Sequence, residues 1–176
     1  KQIYLKSSPK DKLLEDNFEF INSKVKDLDH NQVLVEVVYI SIDAANRAWM
    51  QGRTYRSQIL PGDVMGGYAL GKVIATNNNN FNIGDYVEGD LGWQNYAIRD
   101  AKELIKTSIK ASENLHMSVL GITGKTAYFG LGLADLKKGE SVLISAAAGA
   151  VGNVAGQIAK IKGCKVIGIT SSDEKA

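Results

Sequence analysis

The stretch Ser145-Ala-Ala-Ala-Gly149-Ala-Val-Gly152-Asn-Val-Ala-Gly156 joins an apolar run at residues 142–145 to a segment with helical apolar spacing. That order predicts a strand, a tight glycine turn and a helix start. A turn of this kind lets backbone N–H groups approach a pyrophosphate, and the helix dipole, equivalent to roughly +0.5 charge at the N-terminus, favours an anion there. Against the dinucleotide fingerprint G-x-G-x-x-G, Ala147 stands in the first place, and Gly149 and Gly152 in the other two, with Ala150 and Val151 between them. The competing reading is a strand–turn–helix whose glycines only permit close packing. Val151, Val154, Ala155, Ile158 and Lys162 follow i, i+3, i+4 spacing, which predicts an apolar stripe against a sheet with a lysine stem at its end. Gly163 then caps the helix, and residues 166–170 read as the next buried strand, completing a βαβ unit.

The end of that second strand discriminates between cofactors. An NAD site usually places Asp or Glu there, about 20 residues past the glycine turn, to accept from the ribose 2′-hydroxyl. Here the region is Ile169-Thr-Ser-Ser172, and Lys175 follows one helical turn later. Two hydroxyls and a cation suit a 2′-phosphate, so NADP(H) is expected over NAD. Asp173 and Glu174 oppose this unless, at a helix start, they face solvent or serve its dipole. The alternative for Lys175 is an ordinary exposed lysine.

Metal chemistry has few ligands to work with. Cys164 is the only cysteine, and His30 and His116 fall in a turn and on a helix without a Cys or carboxylate at ligand spacing. Catalytic zinc needs three protein ligands, so no metal site is expected. One cysteine also excludes an intramolecular disulfide framework and fits a reducing compartment; lying between a helix end and a strand, it reads as packing. Residues 42–52 combine small side chains with Arg47, Trp49 and Met50, as in a loop or short helix. This segment is expected to form one wall of an apolar ligand site, the alternative being a loop pinned down by its tryptophan.

These groups need a scaffold, and 176 residues with 44% hydrophobic content suffice for a substantial core. Lys plus Arg number 21 against 19 Asp plus Glu, a +2 balance that points to neither a nucleic acid nor an anionic membrane partner. No apolar run approaches the roughly 18 residues of a membrane span and no leader pattern is visible, so the cytoplasm is the default expectation. Both ends read as cut: the chain opens at Lys1 without a methionine and closes at Ala176 after two strands of a sheet that needs about six. Short strands are predicted at residues 2–6, 17–22, 32–41, 68–76, 84–89, 93–98 and 103–106, closing on themselves as a barrel. From Ala111 the pattern turns helical, with Leu115, Val119 and Ile122 on a first helix and residues 126–133 on a second. The expected domains are 1–110, connecting helices 111–140, and 141–176.

The motifs Ser41-Ile-Asp-Ala-Ala-Asn-Arg47, Gly84-Asp-Tyr-Val87, Gly124-Lys-Thr-Ala-Tyr-Phe-Gly130 and Ala146-Ala-Ala-Gly-Ala-Val-Gly152, continued by residues 156–160, Gly163-Cys164 and Ser172-Asp-Glu-Lys175, cover nearly the whole chain. On them the sequence resembles the zinc-independent, NADP-linked branch of the medium-chain dehydrogenases and reductases, the branch of prostaglandin and alkenal reductases. The resemblance implies an α/β fold with a β-rich part: a GroES-like, partly closed β-barrel followed by the first βαβ unit of a Rossmann fold. It implies hydride transfer from NADPH to the β-carbon of an α,β-unsaturated ketone or aldehyde, an enolate held by hydrogen-bond donors, and proton return to the α-carbon. The tyrosine expected at that enolate lies beyond Ala176, in a second half of the Rossmann domain. Thr126 matches a threonine near the nicotinamide, with back-bonding to its own helix as the alternative. Arg47 matches a substrate-side arginine, whereas Ala44, Ala45 and Asn46 depart from the Pro-Tyr-Met of prostaglandin reductases. A homodimer is implied. Quinone reduction, and NADPH binding without catalysis, stand as the alternative functions.

Overall fold

The computed structural model describes residues 1–109 and 112–175 and divides into two units, Lys1–Lys110 and Ala111–Ala176. The boundary expected at residues 110 and 111 lies outside the described residues.

The first unit is β-rich. β1 (Gln2–Leu5) pairs antiparallel with β2 (Phe18–Ile21). A five-stranded antiparallel sheet is built from β3 (Gln32–Ile40), β4 (Tyr68–Thr76), β5 (Tyr86–Asp90), β6 (Tyr96–Asp100) and β7 (Ile105–Thr107), in the order β6-β3-β4-β5-β7. Alternation places Val33 and Val35 of β3 inward, where they pack with Val73, Val87 and Leu91, all fully buried. Gly71 sits where β4 presses against β3: an added Cβ would lie 2.7 Å from the Glu36 carbonyl oxygen. The strand predicted from residue 93 begins only at Tyr96. Gly92 has a left-handed φ of 75°, and Trp93 is occupied in linking β1, accepting from the Ile3 amide at 2.9 Å and donating to the Met65 carbonyl at 2.7 Å.

Residues 42–52 resolve into a helix, α1 (Ala44–Gln51). Its capping box explains why: the Asp43 carboxylate accepts from the Ala45 amide at 2.8 Å, and the Asn46 side chain accepts from the Asp43 amide at 2.7 Å. The apolar face of α1 carries Trp49 and Met50 into a second core with Leu5, Ile59 and Met65.

The second unit contains α2 (Glu113–Met117), α3 (Ile122–Leu133), β8 (Ser141–Ile144), α4 (Ala150–Ile161) and β9 (Lys165–Gly168). β8 and β9 are parallel, with Ser141 opposite Lys165 and Ile144 opposite Gly168, so α4 is the crossover of a βαβ unit. Gly163 closes α4 at φ 80°, the left-handed cap its position predicted. The first predicted helix needs correcting: Leu115, Val119 and Ile122 do not share one helix. The chain breaks at Ser118–Gly121, and after the break Gly124 packs onto the Val119 backbone with no room for a side chain. Of the predicted α4 stripe, Val154, Ala155 and Ile158 pack on the core with Val142, Ile144 and Val166, as spaced. Val151 at the first turn and Lys162 at the end are exposed, and the buried positions are Gly152, Ala155 and Ala159. Among the described residues, no helix is long and apolar enough to cross a membrane.

Candidate functional site: the glycine turn and the end of β9

The turn between β8 and α4 is shaped by contacts that leave little room for side chains. Ala146 adopts a left-handed φ of 49°, unusual for a residue with a Cβ, and its carbonyl accepts from the Gly149 amide at 2.8 Å. The Ala147 amide donates to the Ile169 carbonyl at 3.0 Å, tying the turn to the end of β9. A Cβ on Gly152 would run into the Ala146 carbonyl oxygen and lie 2.8 Å from Ala147 Cα. Gly168 is a further requirement that sequence reasoning missed, since a Cβ there would lie 2.7 Å from the Ala147 methyl. Its signal was a lone glycine inside a strand pattern.

Gly149 is the N-cap of α4, in extended conformation and without a side-chain cap. Among the described residues the amides of Ala150, Val151 and Gly152 have no backbone acceptor outside the helix, as expected for a first helical turn. Unsatisfied donors at a dipole's positive end, next to glycines that keep side chains away, fit the pyrophosphate of a dinucleotide.

At the end of β9, the Lys175 ammonium donates to Ser171 Oγ at 3.2 Å. The expected helix start is here a single 3-10 turn, Asp173–Lys175, with both acidic residues exposed. The Thr170 hydroxyl turns away to the Ser172 carbonyl at 2.9 Å, leaving Ser171 and Lys175 as the pair the backbone brings together. Thr126, exposed on α3, donates to the Ile122 carbonyl one turn back at 2.7 Å. That bond satisfies its hydroxyl locally.

In the first unit, Met50 is 1% and Trp49 6% exposed, so both side chains belong to the core beneath α1. Arg47 is exposed and donates to the Asp11 backbone carbonyl. The sequence pattern gave no sign of the neighbouring clasp: Arg56 stacks over the Trp49 ring at 4.5 Å and pairs with Asp90 at 2.6 Å, while the other Asp90 oxygen accepts from the Gly67 amide at 2.8 Å. Beside it the Tyr68 hydroxyl donates to Glu88 at 2.8 Å. Burial, then the Glu88 bond and charge, push the Tyr68 phenol well above its ordinary value, so it stays protonated at neutral pH. Among the described residues, no three His, Cys, Asp or Glu side chains are grouped to hold a metal ion.

Residues 1–107 match the family model described as the N-terminal domain of oxidoreductase. The chain belongs to that oxidoreductase family. Its relatives place it in the zinc-independent branch of the medium-chain dehydrogenases and reductases. It is 39% identical over 164 residues to prostaglandin reductase 1 of Mus musculus, covering 90% of this chain and 48% of that protein. It is 35% identical to the NADPH-dependent curcumin reductase of Escherichia coli, covering 97% of this chain and 50% of that one. The crystal structure of CurA from Vibrio vulnificus in complex with NADPH superposes with a TM-score of 0.88 at 35% identity, covering 98% of this chain and 52% of that one. The chain thus spans about half the length of the curated relatives it matches.

Proposed function

We propose that the protein acts as an NADPH-dependent oxidoreductase that reduces the C=C bond of α,β-unsaturated ketones or aldehydes without a metal. The observation that carries this is the glycine turn with free helix amides, followed at the end of β9 by Ser171 and Lys175 where an NAD site would carry a carboxylate. In this reading the amides of Ala150, Val151 and Gly152 receive the pyrophosphate, and the Lys175 charge with the Ser171 hydroxyl receives the 2′-phosphate. The bound cofactor supplies a hydride for the β-carbon of the enone, and the α-carbon then takes a proton. The names of the relatives support that substrate class, since a 2-alkenal reductase of Nicotiana tabacum is 36% identical to this chain and covers 98% of it.

Arg47 is assigned to the substrate side on the family resemblance, with Trp49 and Met50 as the buried anchors that hold α1 in place. Thr126 is assigned near the nicotinamide on the family resemblance, while its hydroxyl bonds back to the Ile122 carbonyl of its own helix. We read the first unit as a partly closed, GroES-like barrel, a view supported by the bridges from Gln2 to Gln94 and from Tyr4 to Val64 that carry β1 across to loops of the main sheet. The domain division 1–110, 111–140 and 141–176, a homodimer and a cytoplasmic location belong to the same reading.

The test is NADPH consumption by the purified full-length protein with methyl vinyl ketone, alongside a quinone. Turnover of the enone with a saturated ketone as product is expected. Turnover of the quinone alone would favour quinone reduction, and NADPH binding without turnover of either would favour a non-catalytic role.

A further inference from the structure

A cleft of about 340 Å³ in the first unit is lined by none of the residues assigned above. It is bounded by the β1–β2 hairpin, the segment after β2, and the face of β6. Four cations line it, Lys1, Lys24, Lys26 and Arg99, and no carboxylate does. Among the described residues none of the four is in an ion pair, although the chain as a whole carries 21 cations against 19 anions. Gathering four like charges around one concavity costs repulsion that a bound anion would relieve, and such a cleft concentrates the field.

The floor of the cleft is built rather than open. Gln94 is 9% exposed; it donates to the Leu91 carbonyl at 2.6 Å and accepts from Gln2 at 2.7 Å. Gln2 in turn accepts from the Tyr4 hydroxyl at 3.3 Å and from the Ser23 hydroxyl, which ties the lysine-bearing segment to β1. Arg99 spends its Nε on the Asp90 carbonyl at 2.7 Å and one terminal nitrogen on the Ile98 carbonyl at 2.8 Å. Those bonds fix the guanidinium plane and leave its second terminal nitrogen without a partner among the described residues. Lys1 rests 4.7 Å above the Phe20 ring, while Lys24 and Lys26 are exposed with no hydrogen-bond partner among the described residues.

We propose that this cleft binds a phosphate-class oxyanion, held by Arg99, Lys24 and Lys26 of its lining. The recognisable chemistry is a multiply charged tetrahedral oxyanion, either inorganic phosphate or the phosphate of a small phosphomonoester. A fixed guanidinium with flanking ammonium groups matches several oxygens at once.

The experiment is calorimetric titration of the full-length protein with inorganic phosphate and, separately, with glycerol phosphate, ionic strength being held constant with sodium chloride. K24Q/K26Q should weaken the tighter of the two ligands by about tenfold, as expected for two partly screened ion pairs, and R99Q should weaken it as well. Phosphate lodging at the glycine turn would be indifferent to all three substitutions, so unchanged affinity in both variants overturns the proposal. Wild-type protein showing no heat beyond the chloride control overturns it too. Unchanged urea midpoints in K24Q/K26Q establish that the loss is one of binding, because both lysines are exposed.

Discussion

The glycine turn makes a sharp prediction because two of its glycines, four residues apart on α4, meet opposite surroundings. At Gly152 an added methyl would lie 2.8 Å from Ala147 Cα and closer still to the Ala146 carbonyl oxygen, both backbone atoms. Carbon contacts relax near 3.5–4.0 Å, so the turn must open by roughly 0.7 Å or more. Overpacking of this kind costs about 1–3 kcal/mol, and at this site the strain displaces the amides proposed to receive the pyrophosphate. At Gly156 the same methyl would meet Ile144 Cδ1 and Val166 Cγ1 at 3.7 Å each, ordinary contact distances. Alanine there removes the entropic cost of a mid-helix glycine and should stabilise by about 0.5–1 kcal/mol. In the full-length protein, Gly152→Ala should therefore weaken NADPH binding at least about tenfold, while Gly156→Ala leaves it unchanged and raises the urea midpoint. Fluorescence titration with NADPH and urea denaturation of both variants read the two effects. Wild-type affinity and stability in Gly152→Ala, or equal losses in both, would refute the reasoning. The obstacle to a side chain at Gly152 is thus the turn's own backbone, a constraint that acts before any ligand is present.

Three further outcomes follow from the same observations. Lys175→Ala should weaken NADPH binding tenfold to a hundredfold, on the order of 1.5–3 kcal/mol for a charge-assisted hydrogen bond, and change NADH binding little; parallel titrations check it, and equal weakening of both would remove the 2′-phosphate assignment. Asp85 pairs with Lys106 at 2.6 Å and accepts from the Asn82 amide at 2.7 Å; the Lys106 bond first, then the Asn82 amide, lower its carboxyl below the ordinary value. Its stabilisation is therefore complete above the unfolded value near 4 and is lost as pH falls through the lower folded value, so Lys106→Gln should flatten the acid limb of stability against pH by no more than about 1 kcal/mol at this partly exposed pair. Elemental analysis should find well below one zinc per chain, and stoichiometric zinc would contradict the metal-free reading.

The βαβ order was legible because each boundary carries a local signal: an apolar run, a glycine turn, and the glycine at 163 whose left-handed φ only that residue adopts cheaply. The buried face of α4 was legible in part: Val154, Ala155 and Ile158 pack on the core as spaced, but Gly152 and Ala159, small residues that hydrophobic periodicity hardly registers, complete the buried line, and Val151 falls in the first turn and stays exposed. The break between α2 and α3 was hidden for a related reason, since Gly121 and Gly124 serve a close backbone approach that only the folded chain reveals. Around the candidate site, Lys175 could be singled out from charge and position. Its partner Ser171, four residues before it, was within the hydroxyl-bearing stretch the sequence pointed to, whereas the Gly168 contact and, within the first unit, the Arg56–Asp90 clasp depend on the return of the chain in three dimensions. Arg47, Trp49 and Met50 show the same limit: side-chain type suggested a ligand wall, and burial shows two of the three committed to the core.

The central claim is hydride delivery from NADPH to the β-carbon of an activated double bond. It is tested most directly by supplying the full-length protein with NADPH deuterated at the transferable position and methyl vinyl ketone, then locating the label by NMR. The account predicts butanone carrying deuterium on the former β-carbon. Deuterium on a carbinol carbon would mean carbonyl reduction, and either that result or unlabelled, unreacted ketone would contradict it.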